Sequence, residues 1–514
     1  MQNGTKSTIW VLPGSLEPEP LIADIGEVFA TAPREAVRAA TRTWFDTFDW
    51  RLYQRGLFLF HDKSEWHLFR RNSDGIAASL PQKGPHSPVF SRDFPASRIR
   101  SILEPVLEMR SLLPLVTHES STTCLRILNN DRKTVARVFL EEHKIPEHNA
   151  VLRTVKLQEV RGYDKNFKEL GRFFANYGMR DKTDFLYPFI TGAEICGRKP
   201  LDYSSKFTLK LKPDYTARQA MVLIYRHLLE VMRQNEAGIL DDLDSEFLHD
   251  CRVAIRRTRS GLGQVRNVLP PDITNKARKD FAWLGSITGP TRDLDVYLLY
   301  EQNYRSRLPA ALQKGLETFF ADISSRREAE RRKLSRHLQS KKYRQIIESW
   351  HEYLHSEDSG ESTENSGRPV IELAREIIFR KYKKVIKDGK TITPSSPDKN
   401  LHQLRIQCKK LRYILEFFSS LFPQQDMKRV VKQLRRLQNN LGDFNDLSVQ
   451  QDMLRNYRLS LRPGSRKNQD LAAALGGLLT NLYHQQRRVR EEYAPRFREF
   501  SASENAKLYK ELCG

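Results

Sequence analysis

Residues 249–262 read HDCRVAIRRTRSGL, and residues 402–415 read HQLRIQCKKLRYIL. Both stretches carry one pattern. The first holds His249, Arg252, Arg256, Arg257 and Arg259; the second holds His402, Arg405, Lys409, Lys410 and Arg412 at the same spacings. At a constant shift of 153 residues, 249–296 aligns with 402–449 without a gap. Lys279 then matches Lys432, Leu284 matches Leu437, Gly289 matches Gly442, and Asp293-Leu294-x-Val296 matches Asp446-Leu447-x-Val449. A histidine and four basic residues in register twice mark an internal duplication, and so two similar units related by a pseudo-twofold axis.

Set on a helix at about 100° per residue with His249 at zero, Arg252, Arg256 and Arg259 fall within a stripe about 80° wide. Cys251, Ile255 and Leu262 form the apolar stripe beside it. His402, Arg405, Lys409 and Arg412 repeat the arrangement next to Leu404, Cys408 and Leu415, while Arg257 and Lys410 lie off the ridge. Each copy therefore predicts a helix that buries one face and presents a cationic ridge. Like charges at these spacings repel by a few tenths of a kcal/mol per pair, and the ridge has no carboxylate to dilute them. That pattern suits a polyanion site. The opposing reading pairs the arginines with acids on neighbouring helices, Asp293 and Asp446 first among them.

The following helix of each copy adds Lys276 and Lys279, then Lys428, Arg429, Lys432, Arg435 and Arg436, of which 428, 432, 435 and 436 share a face. In the run Arg326–Arg344 the charges go all round the helix, as on a solvated helix. The histidines lack the acidic partner or second ligand of a metal site. Among arginines the charged imidazole is disfavoured, and a neutral ring still donates one hydrogen bond to a phosphate oxygen.

Outward from the repeat the texture divides the chain. From about residue 212 onward helical periodicity dominates, at about 215–238, 245–268, 273–288, 292–303, 310–350, 369–387, 398–420, 425–441, 445–458 and 468–500. The acidic, Ser/Gly/Asn-rich stretch Ser356–Arg368 reads as a loose surface loop. Residues 1–205 instead carry β-branched and aromatic runs, Leu57–Phe60, Trp66–Phe69, Leu125–Leu128, Thr134–Leu140 and Val151–Val160. Turn formers at Pro81–Pro88 and Asn129–Asp131 punctuate them, the latter a hairpin, and helical patches lie at Pro95–Glu108 and Lys165–Tyr177. The expectation is an α+β chain of two domains. The first spans 1–205; the second spans 213–500, with a first repeat at 213–350, the loop at 356–368 and a second repeat at 369–500.

The 514 residues carry a net charge of +23, divided as +7 over 1–212 and +16 over 213–514. That helical excess attracts polyanions such as nucleic acid, anionic lipid or polyphosphate. Five scattered cysteines without a CxxC argue against disulfide scaffolds and zinc ribbons and fit a reducing cytoplasm. No stretch reaches the ~20 apolar residues of a membrane span, and the first 30 residues lack the layout of a signal peptide.

The motifs HxxRVxxRRxR, RDLDV, LHxLRxxxKKLRY and GxxND, spread over about 213–500, resemble the CHAD family, the conserved histidine α-helical domain. The resemblance implies two four-helix bundles about a pseudo-twofold axis, a basic surface that binds inorganic polyphosphate, and association with polyphosphate granules. It carries binding roles to His249, Arg252, Arg256, Arg257, Arg259 and Arg292, and to His402, Arg405, Lys409, Lys410, Arg412 and Tyr413. Asn445 stands where Arg292 stands in the first copy, so the halves need not bind equally.

Phe45–Leu52, Gly56–Leu59 and Val160–Lys165 resemble the CYTH family, whose fold is a closed antiparallel β-barrel and whose active members hydrolyse triphosphates with a metal held by acids. This chain departs from that pattern. Ser7–Leu12, where the opening acidic strand belongs, has no carboxylate, and Leu57–Phe60 replace expected arginines. Arg126, Arg137, Glu141, Arg153, Lys156 and Glu159 remain. The reading that follows is a non-catalytic polyphosphate-binding protein with a degenerate barrel and no cofactor or metal. Its basic face binds nucleic acid weakly, since the central helices interleave few aromatics for base stacking. The alternative is a metal-dependent triphosphatase or polyphosphatase working in the barrel.

Overall fold

Alternation of inward and outward side chains organises the first part of the chain. The computed structural model describes residues 6–13, 16–35, 38–62, 65–72, 75–79, 82–83, 89–182, 186–356, 362–462 and 465–513. Two units separate between Ser204 and Ser205. In the first, β1 (Ser7–Val11), β2 (Arg38–Asp46), β3 (Leu57–Asp62), β4 (Glu65–Asn72), β5 (Gly75–Ser79), β6 (Gln82–Lys83), β7 (Leu113–Leu128), β8 (Thr134–Ile145), β9 (Ala150–Glu159) and β10 (Arg180–Lys182) build one sheet. Its order is β10-β1-β9-β8-β7-β2-β3-β4-β5, with β6 on β4. The pairings are antiparallel, and Asn129–Asp131 turns β7 into β8 as expected. Among the described residues the sheet is a curled half-barrel, an open path from β10 to β5. Most of Pro81–Pro88 lies outside the described residues.

Helices cover the outer face. Trp10, Leu125, Ile127, Val138, Leu140, Val155 and Leu157 pack with α1 (Pro18–Val28) and α4 (Asp164–Asn176). Leu57, Leu59, Trp66 and Leu68 pack with α3 (Arg98–Leu107), beyond the short α2 (Arg51–Gln54). The alternate residues Trp44, Phe58, Phe60, Val116 and Ile145 face inward and bury against Phe189 and Ala193 of α5 (Tyr187–Ile195). An aromatic plug thus fills one end of the concave face.

The second unit is helical. It comprises α6 (Ala217–Leu240), α7 (Ser245–Gln264), α8 (Pro271–Leu299), α9 (Glu301–Ser306), α10 (Ala310–Gln313), α11 (Leu316–Leu338) and α12 (Lys341–His355). The second copy follows as α13 (Val370–Lys390), α14 (Asp398–Phe418), α15 (Gln424–Leu459), α16 (Arg466–Glu491), α17 (Tyr493–Ser501) and α18 (Ser503–Cys513). The starts of α6, α7 and α8 recur in α13, α14 and α15 at the same 153-residue shift. Local chemistry sets them. Thr216 closes a capping box with Gln219, and Asp244 accepts the Glu246 and Phe247 amides. Proline precedes the others at 270, 369, 397 and 423. Equivalent helices touch one another, α6 with α13, α7 with α14 and α11 with α16, as a pseudo-twofold arrangement requires.

Three local expectations change. Gly289-Pro290 does not break α8, and α15 runs unbroken, because each is packed along its length against the neighbouring helices. The 503–513 helix escaped the periodicity reading, yet Tyr509 is fully buried and stacked on Tyr382 at 3.9 Å. Of the acidic loop, 357–361 lies outside the described residues. Residues 362–368 are held rather than loose: Thr363 Oγ1 and the Asn365 amide both donate to the Asn267 carbonyl, at 2.7 and 2.8 Å, and Asn267 Nδ2 donates to Glu364.

Cys408 is fully buried on α14 between Leu404 and Leu411, and burial pushes its thiol well above the usual range. A carboxylate there has no partner to offset desolvation. Cys408→Asp is expected to cost about 3 kcal/mol or more, read as a large fall in midpoint in thermal or urea unfolding, whereas Cys408→Ala stays close to wild type.

Candidate polyanion site

The ridge is built by burying the other side of the same helices. Cys251, Ala254, Ile255 and Leu262 on α7, and Leu404, Cys408, Leu411 and Leu415 on α14, are all buried. This fixes the roll of each helix and leaves the arginines at its margin.

In the first copy the guanidiniums lie across α8. Arg252 Nη1 donates to Thr288 Oγ1 at 3.1 Å and to the Gly285 carbonyl at 3.3 Å. A β-carbon on Gly285 would stand 3.0 Å from Arg259 Nη1, and one on Gly289 would stand 3.4 Å from Arg252 Nη1. The two glycines, one turn apart, form the groove in which the arginines rest. Burial holds Arg252 below its ordinary pKa, with Arg256 and Arg292 acting in the same direction against Asp293. Arg292 Nη1 donates to the Ser245 carbonyl at 3.2 Å, and its Nη2 to His249 Nδ1 at 3.1 Å. A guanidinium only donates, so Nδ1 of His249 is the acceptor and the ring proton sits on Nε2.

In the second copy His402 Nδ1 meets Asn445 Oδ1 at 2.5 Å, while Asn445 Nδ2 donates to Asp446. Here the ring nitrogen must be the donor. Replacing Arg292 by Asn445 therefore inverts the imidazole tautomer between the halves. Arg405 pairs with Asp446 at 3.2 Å, and its buried Nε has no acceptor among the described residues.

The ridges converge. Arg256, exposed on α7, lies close enough to act on both Arg405 and Lys409 of α14. Burial, then Arg405 and Arg256, push the Lys409 ammonium down to about 8, against Asp446. Arg256 and Lys409 are equivalent positions. The repeat thus brings Arg256, Arg405, Lys409 and Arg412 within electrostatic range, and Arg252 senses both Arg256 and Arg292.

The sequence from 223 to 455 matches the CHAD domain family. The helical unit carries a CHAD domain. Among solved structures, the CHAD domain from the plant Ricinus communis is 25% identical, with 57% of this chain and 96% of that one covered and a TM-score of 0.48. PptA from Streptomyces chartreusis is 14% identical over 55% of this chain and 100% of its own, at 0.44. A Hippeastrum protein with a dominant triphosphatase activity is 13% identical over 38% and 99%, at 0.25. No curated protein matches the chain.

Other predicted site residues stand apart from the ridge of the CHAD domain. Arg257 is committed to Glu416 at 2.9 Å and to the Ser205 carbonyl. Lys410 acts on Lys381 of α13. Tyr413 is buried, with the Arg412 guanidinium 5.6 Å above its ring. Lys428, Lys432 and Arg435 are exposed on the flank of α15 that also carries Asp446. In the first copy only Lys279 has that position, with Asn275 and Ala282 at the other two. Lys276 and Arg436 turn further away, Arg436 toward Glu499 at 3.5 Å. The ion-paired reading holds in part: Arg405 has Asp446, whereas Asp293 makes no ion pair within 4 Å among the described residues. Gly285 and Glu416 were missed. A Gly-x-x-x-Gly spacing at 285 and 289 was the available signal for the first, and nothing local marks the second.

In the first unit, the part of the concave face that α5 leaves open is a basin of about 760 Å³. It is lined by Arg38, Arg42 and Lys156 and by Glu35, Asp62, Glu65 and Glu141. These acids have basic side chains nearby: Arg42 is 3.8 Å from Asp62, His67 3.8 Å from Glu65, Arg126 3.6 Å from Glu35 and His143 3.7 Å from Glu141. Buried His118, pushed down to about 3 by burial, then by His143 and Arg42, marks the border with the plug. Of the six charged positions singled out from sequence, Glu141 and Lys156 line the basin. Arg153 pairs instead with Glu142 and Glu17, and Glu159 lies at the strand end beside Asp164, which raises its pKa. Among the described residues there is no metal-ready group of three or more His, Cys, Asp or Glu, and no helix long and apolar enough to cross a membrane.

The tautomer inversion is directly observable. Long-range ¹H–¹⁵N spectra at pH 8 are expected to show His249 protonated at Nε2 and His402 at Nδ1. Asn445→Arg should convert His402 to the His249 pattern; identical spectra for both rings in the wild type would refute the assignment.

Proposed function

We propose that the CHAD domain binds inorganic polyphosphate without catalysing a reaction on it. The observation that carries this is the packing of the two ridge helices, α7 and α14, against each other, with Arg256 of one copy within electrostatic range of Arg405 and Lys409 of the other. Such repulsion is relieved by a ligand with closely spaced negative charges along its length, bound through charge-assisted hydrogen bonds. Aromatic platforms are not part of the ridge, since Tyr413 is buried. This favours a ligand without bases, with nucleic acid bound more weakly through its phosphates alone. The site fits a cytoplasmic protein gathered at polyphosphate granules.

The first unit is read as non-hydrolytic. Trp10, on the strand where acids were expected, is core beneath α4, and Phe58 and Phe60 are part of the plug. Two of the basin acids, Asp62 and Glu35, have arginines of the protein itself beside them. Triphosphate cleavage needs a metal held in geometry to draw off developing charge. The basin, with its three basic residues, is the feature that favours the alternative, a triphosphatase.

Arg252→Glu with Arg405→Glu is expected to remove most affinity for long-chain polyphosphate while circular dichroism stays unchanged, each lost contact being worth about 1.5–3 kcal/mol. Wild-type affinity should fall steeply with salt. Near-normal binding by the folded double variant, or equal affinity for duplex DNA, would defeat the reading. Separately, the full chain with magnesium or manganese should release little phosphate from tripolyphosphate or ATP. Robust release abolished by Glu141→Gln would make the enzyme reading the leading one.

A further inference from the structure

The cluster where the ridges meet contains one cation that can shed its charge. Lys409 is half-buried on α14. On its own helix Arg405 and Arg412 stand one turn to either side; α7 and α15 both pack against α14, and Arg256 of the first and the acid Asp446 of the second lie within electrostatic range of the ammonium. Asp446 is already engaged, accepting from Arg405 and Asn445. Glu416 is likewise drawn off, by Arg412 and Arg257. Lys409 is therefore a desolvated ammonium set among three guanidiniums, with its nearest acid shared. Guanidiniums do not deprotonate in proteins, whereas a lysine ammonium does so readily when buried. Relief of the repulsion in the free protein falls on Lys409.

We propose that Lys409 takes up a proton from solvent when a polyanion occupies the ridge, so that binding and protonation are linked at this one residue. The proposal rests on the polyphosphate reading above. A bound polyanion lines the same space with negative charge and offsets the field of Arg256, Arg405 and Arg412, and the neutral amine gains a proton to become the ammonium. The twin position in the first copy is Arg256, which cannot make this change. The linkage is one proton per chain and not two. Burial, then Arg405 and Arg256, push Lys409 down to about 8, whereas an ordinary lysine lies above 10. The sign follows: affinity is full below the free-state value and is lost as pH rises toward the bound-state value.

The test uses the full chain and long-chain polyphosphate at constant ionic strength. Titration calorimetry at pH 8.5 in two buffers of different ionisation enthalpy should report uptake of roughly 0.7 proton per chain. Affinity should fall about twentyfold between pH 7.5 and 9.5. In Lys409→Arg, checked for folding by circular dichroism, both the uptake and the pH slope should disappear. Binding with no uptake in the wild type overturns the proposal and leaves the polyphosphate reading standing. Uptake that persists in Lys409→Arg also overturns it, since the proton then belongs elsewhere. Absence of polyphosphate binding at every pH overturns both.

Discussion

The helical unit depends on one conflict: cations that repel are held together by apolar surface that has nowhere else to go. Cys251, Ala254 and Ile255 on α7, and Leu404, Cys408 and Leu411 on α14, are each almost fully buried. At about 25 cal/mol per Å² of apolar surface, each buried Leu or Ile contributes roughly 1.5–3 kcal/mol. A like-charge pair on a helix costs a few tenths. Burial wins by a wide margin, and the charged residues follow wherever the apolar arc sends them. The arc lies beside the ridge in both copies, so packing α7 against α14 also brings Arg256 to Arg405 and Lys409.

The duplication has been used asymmetrically. One half rests its arginines in a glycine groove on α8 and locks His249 through Arg292. The other spends Asn445 on His402, pairs Arg405 with Asp446, and carries Lys428, Lys432 and Arg435 where its twin has Asn275, Lys279 and Ala282. The first half holds its cations in internal contacts; the second carries more exposed charge. The twofold frame thus has unequal halves, a division that a perfect repeat would lack.

The first unit shows how a fold can keep its sheet while its interior changes. β3 is buried on both faces, Leu57 and Leu59 under α3 and Phe58 and Phe60 under α5. Gly192 on α5 lets the helix approach, since a β-carbon there would stand 2.5 Å from His118 Nε2. The polar basin beyond the plug carries charges of both signs, so its field is much weaker than that of the ridges.

Sequence alone determined the duplication, the helical phase of each ridge and the strands of the first unit. All three are periodic signals, and periodicity is local: which face of α7 is buried follows from residues three and four apart. It also marked Asn445 as the point where the copies diverge. Only the tertiary structure decided the rest. Helical phase sets Arg257 off the ridge, but only the structure shows what holds it there: Glu416, some 160 residues away. The direction of the His402 proton, the shelter of the arginines over Gly285, and the meeting of Lys409 with Arg256 all depend on contacts between elements far apart in the chain. Helical phase fixes the angle at which a side chain leaves its own axis; it carries no information about which other helix crosses that axis, and a charged group's partners are set by that crossing.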